Sequence, residues 1–246
     1  MSTTRIAVTA GVPRAHIDLV VGALAPRLID RAERRARVAL TAAGMLLLGG
    51  DRVHIRVDVG AGCTLDLEDV GGTVAYPTRG VPSEWIVDID VGAGGVLRWH
   101  GLPFVLAAGA DVRRRTTIFL QPQARALVRE TLVLGRHAET GGHLRSSFDV
   151  ADAGGPVLCE TLEIDGVVPE PGVLGDARAV DSVIAAGFRP PSAPGHLVLD
   201  QPGAIARHLG GQSHESDLEP TWTQWSATLE HASAAVSPDR GRVSVR

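Results

Sequence analysis

Residues 44–76 read GMLLLGGDRVHIRVDVGAGCTLDLEDVGGTVAY. An apolar lead-in, Met45 to Leu48, meets Gly49-Gly50-Asp51-Arg52. Two alternating stretches follow. Ile55, Val57 and Val59 are apolar, with Arg56 and Asp58 between them. Beyond Gly60-Ala61-Gly62, Leu65 and Leu67 alternate with Thr64, Asp66 and Glu68. Successive side chains on a strand point to opposite faces, so a period of two marks a strand with one buried face. Glycine supplies the positive φ that a tight turn needs. The unit is therefore strand, turn, strand.

The unit recurs at intervals of about thirty residues, the signature of stacked supersecondary units. Val87, Ile89 and Val91 alternate with Asp88 and Asp90, then Gly92-Ala93-Gly94 leads to Leu97 and Trp99. Ile118-Phe119-Leu120 meets Gln121-Pro122-Gln123 and then Ala126-Leu127-Val128. A fourth copy is Phe148-Asp149-Val150, Gly154-Gly155-Pro156, Val157-Leu158-Cys159. A plain run of hairpins in a β-sandwich shows the same local pattern. The favoured reading is mostly β, with two layered sheets in a solenoid-like (β-helical) winding and one or two short helices. The units share a core, so residues 1–246 are read as one domain.

Outside the repeat the signals weaken. Arg5–Val8 and His16–Val21 read as short strands around Gly11-Val12-Pro13. Residues 25–43 read as helix by propensity, with Pro26 at its first position, but Arg37 to Thr41 alternates as a strand would. Arg31, Arg34, Arg35 and Arg37 form a solvated face or a surface for an acidic protein partner. Past Gly166, Pro169, Pro171, Pro190, Pro191 and Pro194 mark a loop-rich return. Val180–Ala186 and Gly195–Leu199 read as strands, and Gly203–Leu209 as a short helix ended by Gly210-Gly211. Trp222 and Trp225 head a final packed segment, and a frayed tail is expected from about His231.

Composition narrows the class. A chain of 246 residues can bury a real core, and 44% hydrophobic with 21% charged residues is ordinary for a globular protein. A net charge of −4 gives no reason to expect nucleic acid. All 24 basic residues are arginine, which excludes P-loop, Schiff-base and pyridoxal-phosphate lysines. Cys63 and Cys159 are too far apart in the chain to form a C-x-x-C motif, so neither a disulfide scaffold nor a zinc ribbon is expected. The start lacks a basic segment followed by an apolar run, and Met45–Leu48 is too short to span a bilayer. A soluble, cytoplasmic protein without membrane or nucleic-acid partners is expected.

Chemistry is sparse. G-x-S-x-G and H-E-x-x-H are missing, and Gly92-Ala93-Gly94-Gly95 is a turn between strands rather than a phosphate loop. His137 and His143 flank Glu139; His208 and His214 lie near Glu215 and Asp217. Neither spacing fits a closed zinc site. Asp51 after two glycines reads first as a turn cap. Asp66, Glu68 and Asp69 cluster nearby, and Glu130 is placed to pair with Arg136 across a turn.

Together these residues resemble the urease accessory protein family UreD, also called UreH. Gly49-Gly50-Asp51-Arg52 is similar to that family's G-G-D-R signature. The Gly-Ala-Gly turn, Thr73–Tyr76, Leu102-Pro103-Phe104 after Trp99, and Glu130 to Leu134 followed by Gly135-Arg136 resemble its next blocks in order. The match runs from Gly44 to Gly166. One departure is Thr140-Gly141-Gly142-His143, where the family places a Gly-Glu; the acid here is displaced to Glu139.

The resemblance implies a non-enzymatic chaperone with no tightly bound cofactor. It would bind urease apoprotein with UreF and UreG, as a homodimer within the accessory complex if it self-associates, and let nickel pass to the urease active site. Asp51, Glu68, Glu130, His137 and Glu139 are the candidates for touching nickel in transit; no catalytic residue is assigned. The competing reading is a β-helical enzyme that cleaves polysaccharide with paired carboxylates. Few aromatic residues for sugar stacking count against it. A cupin-like metal binder lacks the clustered His and Glu it would need.

Overall fold

The computed structural model describes residues 3–168 and 172–234, with side chains through Glu230. The chain opens with β1 (Thr4–Thr9) and β2 (His16–Val20), then β3 (Leu24–Arg31) and β4 (Arg35–Ala42). The repeat supplies β5 (Arg52–Val59), β6 (Thr64–Asp69), β7 (Thr73–Ala75), β8 (Ser83–Val91), β9 (Val96–His100) and β10 (Phe104–Leu106). It continues through β11 (Asp111–Leu120), β12 (Arg125–Leu134), β13 (His143–Asp152) and β14 (Gly155–Asp165). The return segment holds β15 (Ala179–Ala186), β16 (Leu197–Val198) and β17 (Gly203–Gly210). A single 3-10 turn (Ser213–Glu215) precedes helix α1 (Glu219–Ala234).

The repeated turn switches sheets instead of folding back. β5, β8, β11 and β13 lie parallel and in register within a seven-stranded first sheet, ordered β14-β13-β11-β8-β5-β1-β2. β4, β6, β9 and β12 lie parallel in the facing ten-stranded second sheet, eight of whose strands follow the order β16-β17-β15-β12-β9-β6-β4-β3, while β10 joins β12 and β7 joins β10. Each Gly-Ala-Gly turn carries the chain from the first sheet to the second, so the winding is solenoid-like.

Stacked turns hold the coils in register. Gly62 N–H donates to Ala93 O at 2.9 Å, and Gly94 N–H to Pro122 O at 3.0 Å. Gly62, Gly94 and Gln123 share the left-handed conformation at φ 60°, 63° and 63°. The fourth copy departs from this. β13 and β14 pair antiparallel in the same sheet, so Gly154-Gly155 makes a true hairpin that ends the winding.

Alternation decides what fills the layer between the sheets. Ile55, Val57, Leu65, Leu67, Val87 and Leu97 all point inward at 1% exposure or less. Each contributes about 1.5–3 kcal/mol of transfer free energy. A second cluster lies on the outer face of the second sheet. There α1 buries Trp225 and Leu229 against Leu127, Val183, Ala204 and Ala206.

One open reading is decided and three local expectations change. Residues 25–43 form the hairpin β3–β4 and no helix. Ala36, Val38 and Leu40 fill the core while Arg35 and Arg37 face out, so packing at period two overrides helix propensity. Pro26 is tolerated because β3 is an edge strand. Gly203–Leu209 is strand β17, whose Ala204 and Ala206 are small enough to let α1 approach. The tail expected from about His231 stays helical to Ala234; residues 235–246, like Pro169 and Pro171, lie outside the described residues. Gly195–Leu199 contracts to the two residues of β16.

Candidate functional site

Polar side chains occupy inward positions in one part of the core. On β11 the inward series is Val112, Arg114, Thr116, Ile118; on β12 it is Val128, Glu130, Leu132. Arg114 and Glu130 meet across the gap, with Arg114 Nη1 2.5 Å from Glu130 Oε2 and both side chains nearly buried at 11% and 13% exposure. The contact is a charge pair without the angles of an aligned hydrogen bond, and Arg114 Nε and Thr116 Oγ1 have no protein partner among the described residues. The Arg114 guanidinium also lies 5.9 Å from the Phe104 ring centre. Arg114 Nη1 reaches Ser146 Oγ on β13 at 3.4 Å.

The polar string continues toward the open side of the layer. Arg207 on β17 donates from Nε to Ser182 Oγ at 3.0 Å. Its other two nitrogens clasp both oxygens of Glu160 on β14, at 2.5 and 2.8 Å. This bidentate pair links the two sheets and raises the Arg207 pKa.

At the other end sits Asp69, the last residue of β6. Its Oδ1 accepts from Trp99 Nε1 at 3.2 Å and its Oδ2 from Leu102 N–H at 3.1 Å. Burial pushes its pKa up, and these two bonds only partly offset that. Asp69 lines three spaces at once. One is a polar groove of about 470 Å³ under α1, with Asp66, Glu68, His100 and Trp222. Another is a cleft of about 300 Å³ with Met45, Tyr76 and Trp85. The third is an inner cavity of about 40 Å³ that holds Arg114, Thr116 and Glu130, roughly the room for one water molecule. Asp69 thus stands where the outside meets the buried string.

The groove under α1 is acidic and lined by a tryptophan, the setting in which paired carboxylates cleave sugars. Its acids other than Asp69 are engaged by arginines. Asp66 is bound by Arg35 at 2.8 Å and Arg98 at 2.5 Å, Glu68 by Arg37 at 2.7 Å, and Glu230 by Arg98 at 2.7 Å. Glu219 meets Arg129, which also binds Asp181 at 2.8 Å. Burial alone would raise the pKa of Asp181, but bonds from Arg129, Ser216 and Thr131 bring it below the usual range. The pairs of Glu219 with Arg129 and Glu230 with Arg98 clamp α1 to the second sheet. A glycosidase needs two carboxyls working together, one of them protonated; burial raises Asp69, but each acid that could partner it is held by a guanidinium group.

The five sequence candidates are dispersed. Glu130 lies in the buried string and Glu68 in the outer groove. Asp51 caps its own turn, accepting Leu48 N–H at 3.0 Å. His137 is exposed. Glu139 accepts the backbone N–H of Ala108 and Arg136 and pairs with the Arg136 side chain at 2.5 Å. That last pair corrects the expected Glu130–Arg136 contact: Arg136 takes the displaced acid beside it, and Glu130 takes Arg114 from the other sheet. His143 joins Asp111 and Glu163 at 3.1 and 3.4 Å, away from His137. No group of three or more metal-ligating side chains forms among the described residues. Motif reading does not single out Asp69, Arg114, Ser146, Glu160, Ser182 and Arg207 as a string. Their signal is parity, a polar residue at an inward-facing position between apolar ones.

Known proteins resemble this chain closely. A family model described as UreD urease accessory protein matches residues 24–237. Urease accessory protein UreD 1 of Streptomyces griseus is 41% identical over 238 residues, 93% of each chain. UreD 2 of Saccharopolyspora erythraea is 32% identical over 212 residues, 80% of this chain and 74% of its own. With its G-G-D-R turn, its two-sheet winding and these matches along nearly its whole length, the chain belongs to the UreD urease accessory protein family.

Proposed function

We propose that this protein is a non-catalytic scaffold of urease maturation, working in the cytoplasm. It binds urease apoprotein together with UreF and UreG and supports delivery of nickel to the urease active site. The observation that carries the reading is the polar string between the sheets, from Asp69 through Arg114–Glu130 to Arg207–Glu160. An apolar core would be simpler to build, because a buried ion pair contributes little net stability. Carboxylate and hydroxyl oxygens along the string hold nickel less tightly than imidazole would. Each carboxylate except Asp69 already has an arginine that competes with the cation. Contacts with passing nickel would therefore be brief, as transit requires, and the ion remains cargo rather than a resident cofactor.

No helix among the described residues is long and apolar enough to cross a membrane. The test uses a urease-expressing host in which this chain replaces the host's own UreD. The combined variant Arg114→Met with Glu130→Leu should keep its pull-down with UreF and urease, yet lose urease activation and nickel in the purified urease. Full activation by that variant would sink the transit role. Failure of the natural chain to bind UreF would sink the scaffold role.

A further inference from the structure

The outward face of the first sheet carries side chains in transverse rows. Register aligns Arg52, Glu84, Arg113, Arg145 and Glu163 across β5, β8, β11, β13 and β14. The next row holds His54, Ile86, Arg115, Ser147 and Thr161. Most arginines here have acids: Arg52 meets Glu84 at 3.2 Å, Arg145 meets Glu163 at 3.5 Å, and Arg115 meets Asp88 at 3.6 Å. The Arg113 guanidinium has no partner among the described residues. It stands directly opposite Arg145, and like charges so placed repel. Between them lies a groove of about 340 Å³ with Ile86 at its floor. Ser147 and Thr161 line it too, and their hydroxyls have no hydrogen bond among the described residues.

We propose that this groove binds a carboxylate side chain on an acidic peptide segment of a partner protein. The guanidinium forks of Arg113 and Arg145 match a carboxylate's two oxygens, and the two hydroxyls supply further donors. A carboxylate between the two arginines removes their repulsion, which supports affinity without any rearrangement of the sheet. The rim selects against a longer polyanion. Glu84, paired to Arg52, lines the groove itself, and Asp88, Asp149 and Glu163 flank it; together they repel a continuous phosphate chain. A short acidic motif fits between them; a nucleic acid does not. The surface lies on the sheet opposite to α1, so its occupant leaves the groove beneath that helix open. The proposal is independent of any nickel route.

The experiment is fluorescence anisotropy on the full chain at low salt. The probe is a fluorescein-labelled hexapeptide, Ser-Gly-Glu-Glu-Gly-Ser, and its control carries glutamine at both acidic positions. The glutamate peptide should bind about tenfold or more tighter than the control. Arg113→Glu combined with Arg145→Glu should remove that difference, whereas Arg27→Glu on an exposed site elsewhere should leave it intact. Should the double reversal unfold, Arg113→Gln removes the unpaired charge alone and should itself weaken binding several-fold. Equal binding of both peptides, or no response to the Arg113 variants, overturns the proposal. So does tighter binding of inorganic polyphosphate or duplex DNA than of the glutamate peptide, which would make the groove a phosphate site.

Discussion

The layer between the two sheets has two unlike halves. Between β5, β6, β8 and β9 it is mainly hydrocarbon, with Ile55, Val57, Leu65, Leu67, Val87 and Leu97 almost fully buried and polar side chains only at strand ends, Asp69 and Ser83. Between β11, β12, β13, β15 and β17 the same layer holds Arg114, Glu130, Ser146, Ser182 and Arg207. The same coil runs from one half into the other, since β11 and β12 stack parallel on β8 and β9 and their turn also switches sheets; only beyond it does the chain fold back, at β13–β14. The winding therefore accepts either filling. Apolar filling contributes stability directly, while buried charges must offset their own desolvation. The polar half is thus the one whose residues call for a reason other than folding.

The largest effect is expected where one charge is stranded. Glu130→Ala leaves the Arg114 guanidinium buried without its acid and should cost about 3–5 kcal/mol in urea unfolding. Replacing both partners, Arg114→Met with Glu130→Leu, should return stability to within about 1 kcal/mol of the natural chain or above it. A double variant as unstable as the single one would mean that the pair is structural after all, and the two halves would no longer differ in kind. In the apolar half, Leu67→Ala should cost about 3 kcal/mol, through lost transfer free energy and a residual cavity. A cost under about 1 kcal/mol would show that this half is loosely packed.

The smallest effect concerns the surface counterpart of the buried pair. Hydrogen bonds from the Arg136 side chain and backbone hold the Glu139 carboxyl at about 2, against an ordinary 4.5. A depressed carboxyl pKa stabilises the folded state above the unfolded value and loses that contribution as pH falls through the folded one. Glu139→Gln should therefore melt lower than the natural chain near neutral pH, with the gap closing as pH falls from 4.5 toward 2. A gap independent of pH would mean that the Arg136 contact does not hold this carboxylate.

The repeat was legible because period two and glycine turns are local signals. That the turns switch sheets was legible only through the thirty-residue period, which favoured a solenoid; the residues of Gly60-Ala61-Gly62 suit a hairpin equally well, and the stacking of Gly62 on Ala93 separates the two. Residues 203–209 misled and residues 25–43 stayed ambiguous for one reason: alanine and arginine favour helix in isolation, and the neighbouring sheet reverses that. The buried string was hidden by distance along the chain. Asp69, Arg114 and Arg207 each look like an ordinary polar strand residue until inward parity is counted through Val112-x-Arg114-x-Thr116. The family signature, by contrast, marked Asp51, a turn cap, more clearly than any inward-facing acid.

The hairpin that ends the winding has a consequence for life at high concentration. Parallel coils stacked in register would present a bare strand to which another copy could add without limit, as in a fibre. β14 runs backwards, carries a register shift near Val150, and points Glu160 inward to Arg207. The other margins are blunted as well: β2 is short, β16 has two residues, and β3 combines Pro26 with a register shift after Leu28. A protein built like a segment of fibril is in this way kept from polymerising end to end.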